Sequence, residues 1–394
     1  MPGKRAHHDQ TQKPRNVWEC LMARNTQHEM LTSPSSRIRA RQRFVLALKR
    51  NGEQLRRQLV ESVDTRFSAP GNDAEGNFQQ AVSKLYSEDA YRAVCLVKRA
   101  GQEMMWNTIG DAIDVELPRL KGLLEDAGKR DVGGSLNLRD DVSLPEEWTT
   151  ARVHLQPGGY LRDDGDQDVV AGALYEEGGA LYSRGQGVGT KESKAECIIR
   201  FLKGWKPDFQ PRRILDIGCS AGASSVPYAI AFPEAEVHAI DIGKGLLRYA
   251  HARAQSIGVP VHFHEMNAEQ IDFPDESFDL VVSHNAMHEM ASFTQQAMFN
   301  ESFRLLRRGG VCIHQDLPLK FAEMSPVRQA DIMFDEWYNG ELHWSDYAGT
   351  DCQAGLEAAG FDQANIDCKP FPLLDETMSW LLAAAEKTVS DEMS

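Results

Sequence analysis

Asp216 and Asp241 are the two acids whose surroundings most constrain the chemistry of this 394-residue chain. Residues 212–222 read Arg-Arg-Ile-Leu-Asp-Ile-Gly-Cys-Ser-Ala-Gly. Ile214, Leu215 and Ile217 supply a short apolar strand, Gly218 and Gly222 allow a sharp turn that approaches a ligand closely, and Ala223-Ser-Ser opens a helix. A second strand, Glu236-Val-His-Ala-Ile-Asp241, ends in a carboxylate that can accept both hydroxyls of a ribose. The arrangement predicts a nucleotide or nucleoside site. A dinucleotide fingerprint would need Gly-x-Gly-x-x-Gly to hold a pyrophosphate on a helix start. The spacing here is Gly-x-x-x-Gly, and Asp216 would repel a phosphate at close range. A carboxylate in that place suits a ligand with a cationic amino-acid end.

The turn resembles motif I of the class I S-adenosylmethionine-dependent methyltransferases, Asp/Glu-x-Gly-x-Gly-x-Gly. Asp216, Gly218 and Gly222 match, and Ser220 stands in place of the middle glycine, which removes some backbone freedom. The resemblance continues through Val261-His-Phe-His-Glu-Met-Asn267 as a third strand, with Asn267-Ala268 where the family has Asp-Ala against the adenine. Phe273-Pro-Asp-Glu-Ser-Phe-Asp-Leu-Val-Val-Ser283 is similar to the approach to strand four, and Leu305-Leu-Arg-Arg-Gly-Gly-Val-Cys-Ile313 to the turn into strand five. The match covers roughly residues 196–388. It implies S-adenosyl-L-methionine as cofactor. Asp216, Gly218, Ser220 and Gly222 would hold it at the turn, and Asp241, Ile242, Asn267 and Ala268 along its nucleoside. Ser283 and His284 would lie near its methyl group, and Tyr182, just upstream of the first strand, at its methionine end.

Methyl transfer from a sulfonium needs alignment and exclusion of water, and a base only when the acceptor must lose a proton. After strand four the chain reads Ser283-His-Asn-Ala-Met-His-Glu-Met290. His288 is the general-base candidate, expected as a neutral imidazole near neutral pH, with Glu289 to orient it or balance its charge. A zinc-protease reading of His288-Glu289 fails because the position for the second histidine is Ser292. His284, His288, His314 and Asp316 could gather around a divalent metal, but the expected reaction is a metal-free displacement, with no metal-binding residues assigned. The acids Asp163, Asp164, Asp166 and Asp168 do not form a calcium loop, since the required glycine is Val169 and the final acid is Tyr175.

These groups call for an α/β fold, a Rossmann-like seven-stranded mostly parallel sheet with an appended all-helical N-terminal domain. Residues 1–16 are polar and read as a disordered tail. Over residues 17–130, Leu46, Leu55 and Leu59, then Val82, Leu85, Tyr91 and Val94, then Ile109, Ile113 and Leu117 recur at helical intervals, broken near Ser33-Pro34 and Ala69-Pro70. This domain is expected to act as a lid or to make a homodimer. Residues 131–195 are dense in glycine, without helical period, and read as a connector or lid. Residues 196–390 form the expected catalytic domain. Within it, Met378-Ser-Trp-Leu-Leu-Ala-Ala-Ala-Glu-Lys387 would be a helix by propensity, and the resemblance makes it a final strand. The aromatic-rich segment Phe334–Tyr347 suits either a wall of the acceptor pocket or an interface with the N-terminal helices.

A net charge of -15 argues against a nucleic-acid partner, because phosphate binding needs a concentrated basic surface. The exception is Arg37, Arg39, Arg41, Arg43, Lys49 and Arg50, which read as a solvated helix face or, alternatively, as the contact of an RNA methyltransferase. No stretch is apolar enough to cross a membrane. Seven scattered cysteines without a Cys-x-x-Cys pair favour reduced thiols and a cytoplasmic location. The leading expectation is methyl transfer to a small-molecule acceptor. A cofactor-binding scaffold or rearrangement catalyst without methyl transfer is the reading from a different class.

Overall fold

The computed structural model describes residues 27–68, 77–186, 193–376 and 378–388, with side chains except those of 182–186. The tail expected at 1–16 and the break at 69–72 lie outside the described residues. Ser35, in the first predicted break, caps a helix: its hydroxyl accepts the Ile38 amide at 3.3 Å, and α1 runs Ser36–Phe67. A capping box between Asn77 and Gln80 opens α2 (Phe78–Ser87), and α3 follows at Asp89–Ala127. The N-terminal region is helical, as its apolar spacing predicts. Its core is shared with the rest of the chain. Val45, Met105, Trp106 and Ile109 pack in one cluster with Val170, Leu174, Tyr249 and Ala252. Val60, Leu85 and Tyr91 join Val327, Ala330 and Phe334 in another.

Residues 131–195 contain β1 (Ser135–Asn137), α4 (Glu146–Thr150) and α5 (Val170–Gln186). The expectation of a stretch without helix or core is corrected at α5, where Val170, Ala171, Ala173, Leu174 and Leu181 are buried. Its glycines serve close packing. A Cβ on Gly172 would lie 2.2 Å from the Tyr249 Cβ, and one on Gly178 2.6 Å from the Trp106 ring. Read as sequence, those same glycines conceal the helix.

The remainder alternates strands and helices: α6 (Lys194–Trp205), β2 (Arg213–Ile217), α7 (Ser225–Ala231), β3 (Glu236–Asp241), α8 (Lys244–Ile257), β4 (His262–Glu265) and β5 (Phe278–His284). Then come α9 (Ser292–Leu305), β6 (Leu306–Asp316), α10 (Pro326–Asn339), α11 (Trp344–Gly349), α12 (Cys352–Ala359), β7 (Ile366–Pro372) and β8 (Ser379–Glu386). The sheet order is β1-β4-β3-β2-β5-β6-β8-β7. Neighbouring strands are parallel except at β8, which runs antiparallel to both β6 and β7. The seven expected strands are present, and β1 adds an eighth at the edge beside β4.

Successive strand residues enter opposite layers, as a period of two requires. Ile214, Val237, Ala239, Leu280 and Val282 face α6, α7 and α8, whereas Leu215, Ile217, Ile240 and Val281 face α9 and α12. Burial on both faces also explains β8. Its Leu- and Ala-rich run lies between two strands, and six consecutive residues, Trp380 to Ala385, are buried. Tertiary pairing overrides helix propensity there. Strand order reverses between β2 and β5, so a crevice opens at their carboxyl ends, the general position for ligands in such sheets.

Candidate functional site

The turn after β2 is held by strand β3. Gly218 and Cys219 donate their amides to the Ile240 carbonyl at 2.9 and 3.0 Å, and the Ser220 amide donates to Asp241 Oδ2 at 2.9 Å. The Gly243 amide donates to Asp241 Oδ1, also at 2.9 Å. Two backbone donors therefore fix the carboxylate at the strand tip. Burial raises the Asp241 pKa, and the backbone N–H groups of Gly243, Ser220 and Ile242 oppose that shift. Ser220, in the place of the middle glycine, adopts φ +48°, in the left-handed region that glycine takes at least cost.

This turn floors a cleft of about 780 Å³, solvent at its mouth included. Gly218, Ser220, Asp241, Ile242, Asn267 and Ala268 line it, so six of the expected cofactor residues are brought together. Met266, Ala291 and Thr294 complete that end. Asn267 is already engaged: its Oδ1 accepts the Glu269 amide at 2.9 Å, and its Nδ2 donates to the Ser143 carbonyl at 3.0 Å.

Four expected residues take other places. Gly222 packs inside the turn, where a Cβ would meet Ala250 at 2.9 Å. Asp216 is fully buried beneath the turn, its Oδ2 accepting the Ser224 and Ser225 hydroxyls at 2.7 Å each. Burial pushes its carboxyl up to about 7, against the two hydroxyls. Ser283 and His284 are buried side chains committed elsewhere, Ser283 Oγ to His314 Nδ1 at 2.9 Å and His284 Nε2 to the Tyr228 hydroxyl at 2.8 Å. Tyr182 falls on α5, with its side chain outside the described residues. The tyrosines that do line the cleft are Tyr160 and Tyr175, packed edge to face at 5.5 Å, with Trp148 5.8 Å from Tyr160.

The other end of the cleft is a network of imidazoles and carboxylates. His288 Nδ1 lies 2.6 Å from Asp316 Oδ1, and its Nε2 is 3.6 Å from Glu289 Oε1. Burial disfavours its charged form, but Asp316, and behind it Glu289 and Glu341, outweigh burial and push the pKa up to about 9. The shift favours the imidazolium, against the neutral imidazole expected from the sequence. Glu289, not His288, lines the cleft. Its Oε1 meets His154 Nε2 at 2.9 Å and accepts the Tyr160 hydroxyl at 3.3 Å, while its Oε2 is buried without a hydrogen-bond partner. His154 Nδ1 meets Glu341 Oε1 at 2.6 Å. Flanked by two carboxylates, His154 has a pKa well above its ordinary value even though burial opposes the charge.

His154, Glu341 and Trp148 went unnoticed in the sequence because each sits in an irregular or short element with no motif around it. Within the aromatic-rich segment, Phe334 packs with the N-terminal helices, and Trp337 lies 5.9 Å from Tyr86. Trp344 and Tyr347 stand against His288, each at 6.2 Å. None of these four lines the cleft. His284 and His314 stand apart from the His154–His288 cluster and belong to the interior of the sheet.

Residues 214–310 match the family model of a methyltransferase domain, and that segment is one. A malonyl-[acyl-carrier protein] O-methyltransferase of Methylococcus capsulatus is 30% identical over 165 residues, 40% of this chain and 55% of that protein. An uncharacterized protein of Mycobacterium tuberculosis is 38% identical over 98 residues, 25% of this chain and 34% of that protein. The chain spans between about a fifth and about half of the length of such curated relatives. Among solved structures, the chain is similar to phosphoethanolamine N-methyltransferase 2 of Haemonchus contortus in complex with S-adenosyl-L-methionine, at 17% identity and TM-score 0.38, over 48% of this chain and 52% of that one. It is also similar to a SAM-dependent methyltransferase of Methanosarcina mazei, at 19% identity and TM-score 0.36, over 49% and 98%.

Proposed function

We propose that this protein is an S-adenosylmethionine-dependent methyltransferase that acts on a small-molecule acceptor. The carrying observation is the Asp241 carboxylate, fixed at the tip of β3 by the Ser220 and Gly243 amides and facing the cleft. It supports a ribose contact, since each carboxylate oxygen keeps a lone pair for a hydroxyl. One buried acceptor adds to the fit: Asn285 Oδ1 on the cleft wall has no hydrogen-bond partner among the described residues. Such an atom costs about 1–3 kcal/mol until a donor reaches it, and the amino-acid end of the cofactor carries donors.

When bound, the cofactor supplies a methyl group on an already activated sulfonium. Asp241, Asn267 and the Ser220 turn bind the nucleoside, and Ile242, Met266 and Ala268 exclude water from it. Trp148, Tyr160 and Tyr175 wall the remaining space with aromatic faces, which suits a compact organic acceptor. Glu289 is the group facing the cleft that can receive a proton where the acceptor must lose one, and His154 and His288 position it from behind. We assign residues 196–390 as the catalytic unit. The helices of residues 17–130 we assign as a cover for the site, in keeping with the core they share with α5 and α8. A homodimer draws its support from Phe44, Leu55, Leu96 and Val115, apolar and exposed on these helices. A cytoplasmic location rests on the scattered cysteines alone.

The test is incubation with methyl-labelled S-adenosylmethionine and a pool of small hydroxyl, amine, thiol and carboxylic acids, with RNA as a parallel acceptor. Label in a small molecule supports the proposal. Label in RNA, with salt-steep binding, transfers the role to the basic face of α1. Cofactor binding without transfer to any acceptor would make the chain a binding protein.

A further inference from the structure

We propose that His154, His288, Glu289 and Glu341 form a site for one divalent first-row metal ion, zinc or manganese in type, at the acceptor end of the cleft. One ligand atom from each of these four side chains lies within 4.8 Å of the others. Four tetrahedral ligands on bonds of about 2.0–2.2 Å lie roughly 3.3–3.6 Å from one another, so the widest pair closes by up to about 1.2–1.5 Å to complete the set. Two imidazoles with two carboxylates favour a borderline transition ion over magnesium or calcium, which prefer all-oxygen shells.

The surroundings are those of held ligands. His288 gives Nδ1 to Asp316 at 2.6 Å and keeps Nε2 for the cluster, the carboxylate–imidazole arrangement that orients metal ligands. Glu341 Oε2 accepts the Trp344 indole N–H at 2.5 Å. His154 stands at φ +52°, with its carbonyl accepting from Gln102 and Trp106 and its amide donating to the Gly340 carbonyl. That backbone conformation is costly for a histidine and is kept where surrounding structure enforces it. The independent sign of a ligand is Glu289. This residue is only 8% exposed, it lines the cleft, and its Oε2 has no hydrogen-bond partner among the described residues.

Glu289 is the member exposed to the cleft, so an open coordination position would face the acceptor. The substrate class that follows is an acceptor presenting a metal-binding oxygen, such as a hydroxyl beside a carbonyl or a second hydroxyl. This last step rests on the proposed methyl transfer; the metal site does not.

The experiment uses the full chain after dialysis against a chelator. Cobalt(II) titration should give one equivalent bound, with a visible ligand-field band, and calorimetry with zinc and manganese should give the same stoichiometry. Glu341→Gln and Glu289→Gln, each shown folded by circular dichroism, should lose affinity by about tenfold or more, and Asp316→Asn should lose roughly 10–100-fold as a residue that positions His288. Acetohydroxamate, an oxygen-donor probe, should shift the cobalt band. No band in the folded wild-type protein, or binding undiminished in both glutamine variants, would overturn the proposal. Calorimetry with S-adenosylmethionine on the same samples separates the two ideas: cofactor bound without metal sinks only the metal site, and metal bound without cofactor sinks only the methyltransferase reading.

Discussion

The indole N–H of Trp106 donates to the main-chain carbonyl of His154 at 2.7 Å, tying the long N-terminal helix α3 to the acceptor end of the cleft. Gln102, one turn earlier, donates to the same carbonyl at 2.9 Å. Trp106→Phe keeps most of the buried ring and removes the donor. We expect a loss of about 1–3 kcal/mol in unfolding free energy. Methyl transfer should fall while cofactor affinity stays near wild type. Urea unfolding and calorimetry check the pair, and unchanged turnover would detach the helix from the site.

The helix α5 depends on the absence of side chains at its contacts. Gly172→Ala would drive a methyl group into the Tyr249 ring, with Cβ contacts of 2.2 and 2.6 Å. Overpacking of this kind costs about 1–3 kcal/mol. A thermal midpoint unchanged by the substitution would return residues 170–186 to the status of a loose connector.

These two positions also mark how far the sequence could be read. The β2 turn and the tip of β3 were legible because local spacing defines them: Ile214 to Gly222 is one continuous segment, and Asp241 ends the next strand. The strands were legible through short apolar runs and the order of motifs. The helix α5 was not, since glycine at a helix contact and glycine in a loop look alike until Tyr249 and Trp106 are seen against Gly172 and Gly178. The histidine cluster was half legible. His288 and Glu289 follow a recognised strand, but His154 lies 135 residues from Glu289 and reaches it only through tertiary folding. The upward shift of the His288 pKa was hidden for the same reason, because its partner Asp316 stands at the end of β6.

Ser220 tests the turn by backbone conformation. At φ +48°, valine would be strained by about 1–3 kcal/mol, and the amide held against Asp241 would move. Ser220→Val should therefore weaken cofactor binding, whereas Ser220→Gly should keep it. Equal affinity in both variants, measured by calorimetry, would show that this amide does not matter.

Asp216 sets a pH dependence in the ligand-free protein. Burial pushes its folded pKa up to about 7 from the usual 3.8. The folded chain therefore holds this proton more tightly than the unfolded one. The stability it contributes is full below the unfolded value and is lost as pH rises through about 7. Asp216→Asn should flatten the fall in urea midpoint between about pH 4 and pH 7. An identical slope in variant and wild type would contradict the assignment.

The most direct measurement is the affinity of the chain for S-adenosylmethionine with and without the Asp241 carboxylate. The wild-type protein should bind one equivalent by calorimetry, and folded Asp241→Ala should bind more weakly by about 1.5–3 kcal/mol, roughly 10- to 150-fold. Unchanged affinity in the folded variant, or no binding by the wild type, would contradict the account.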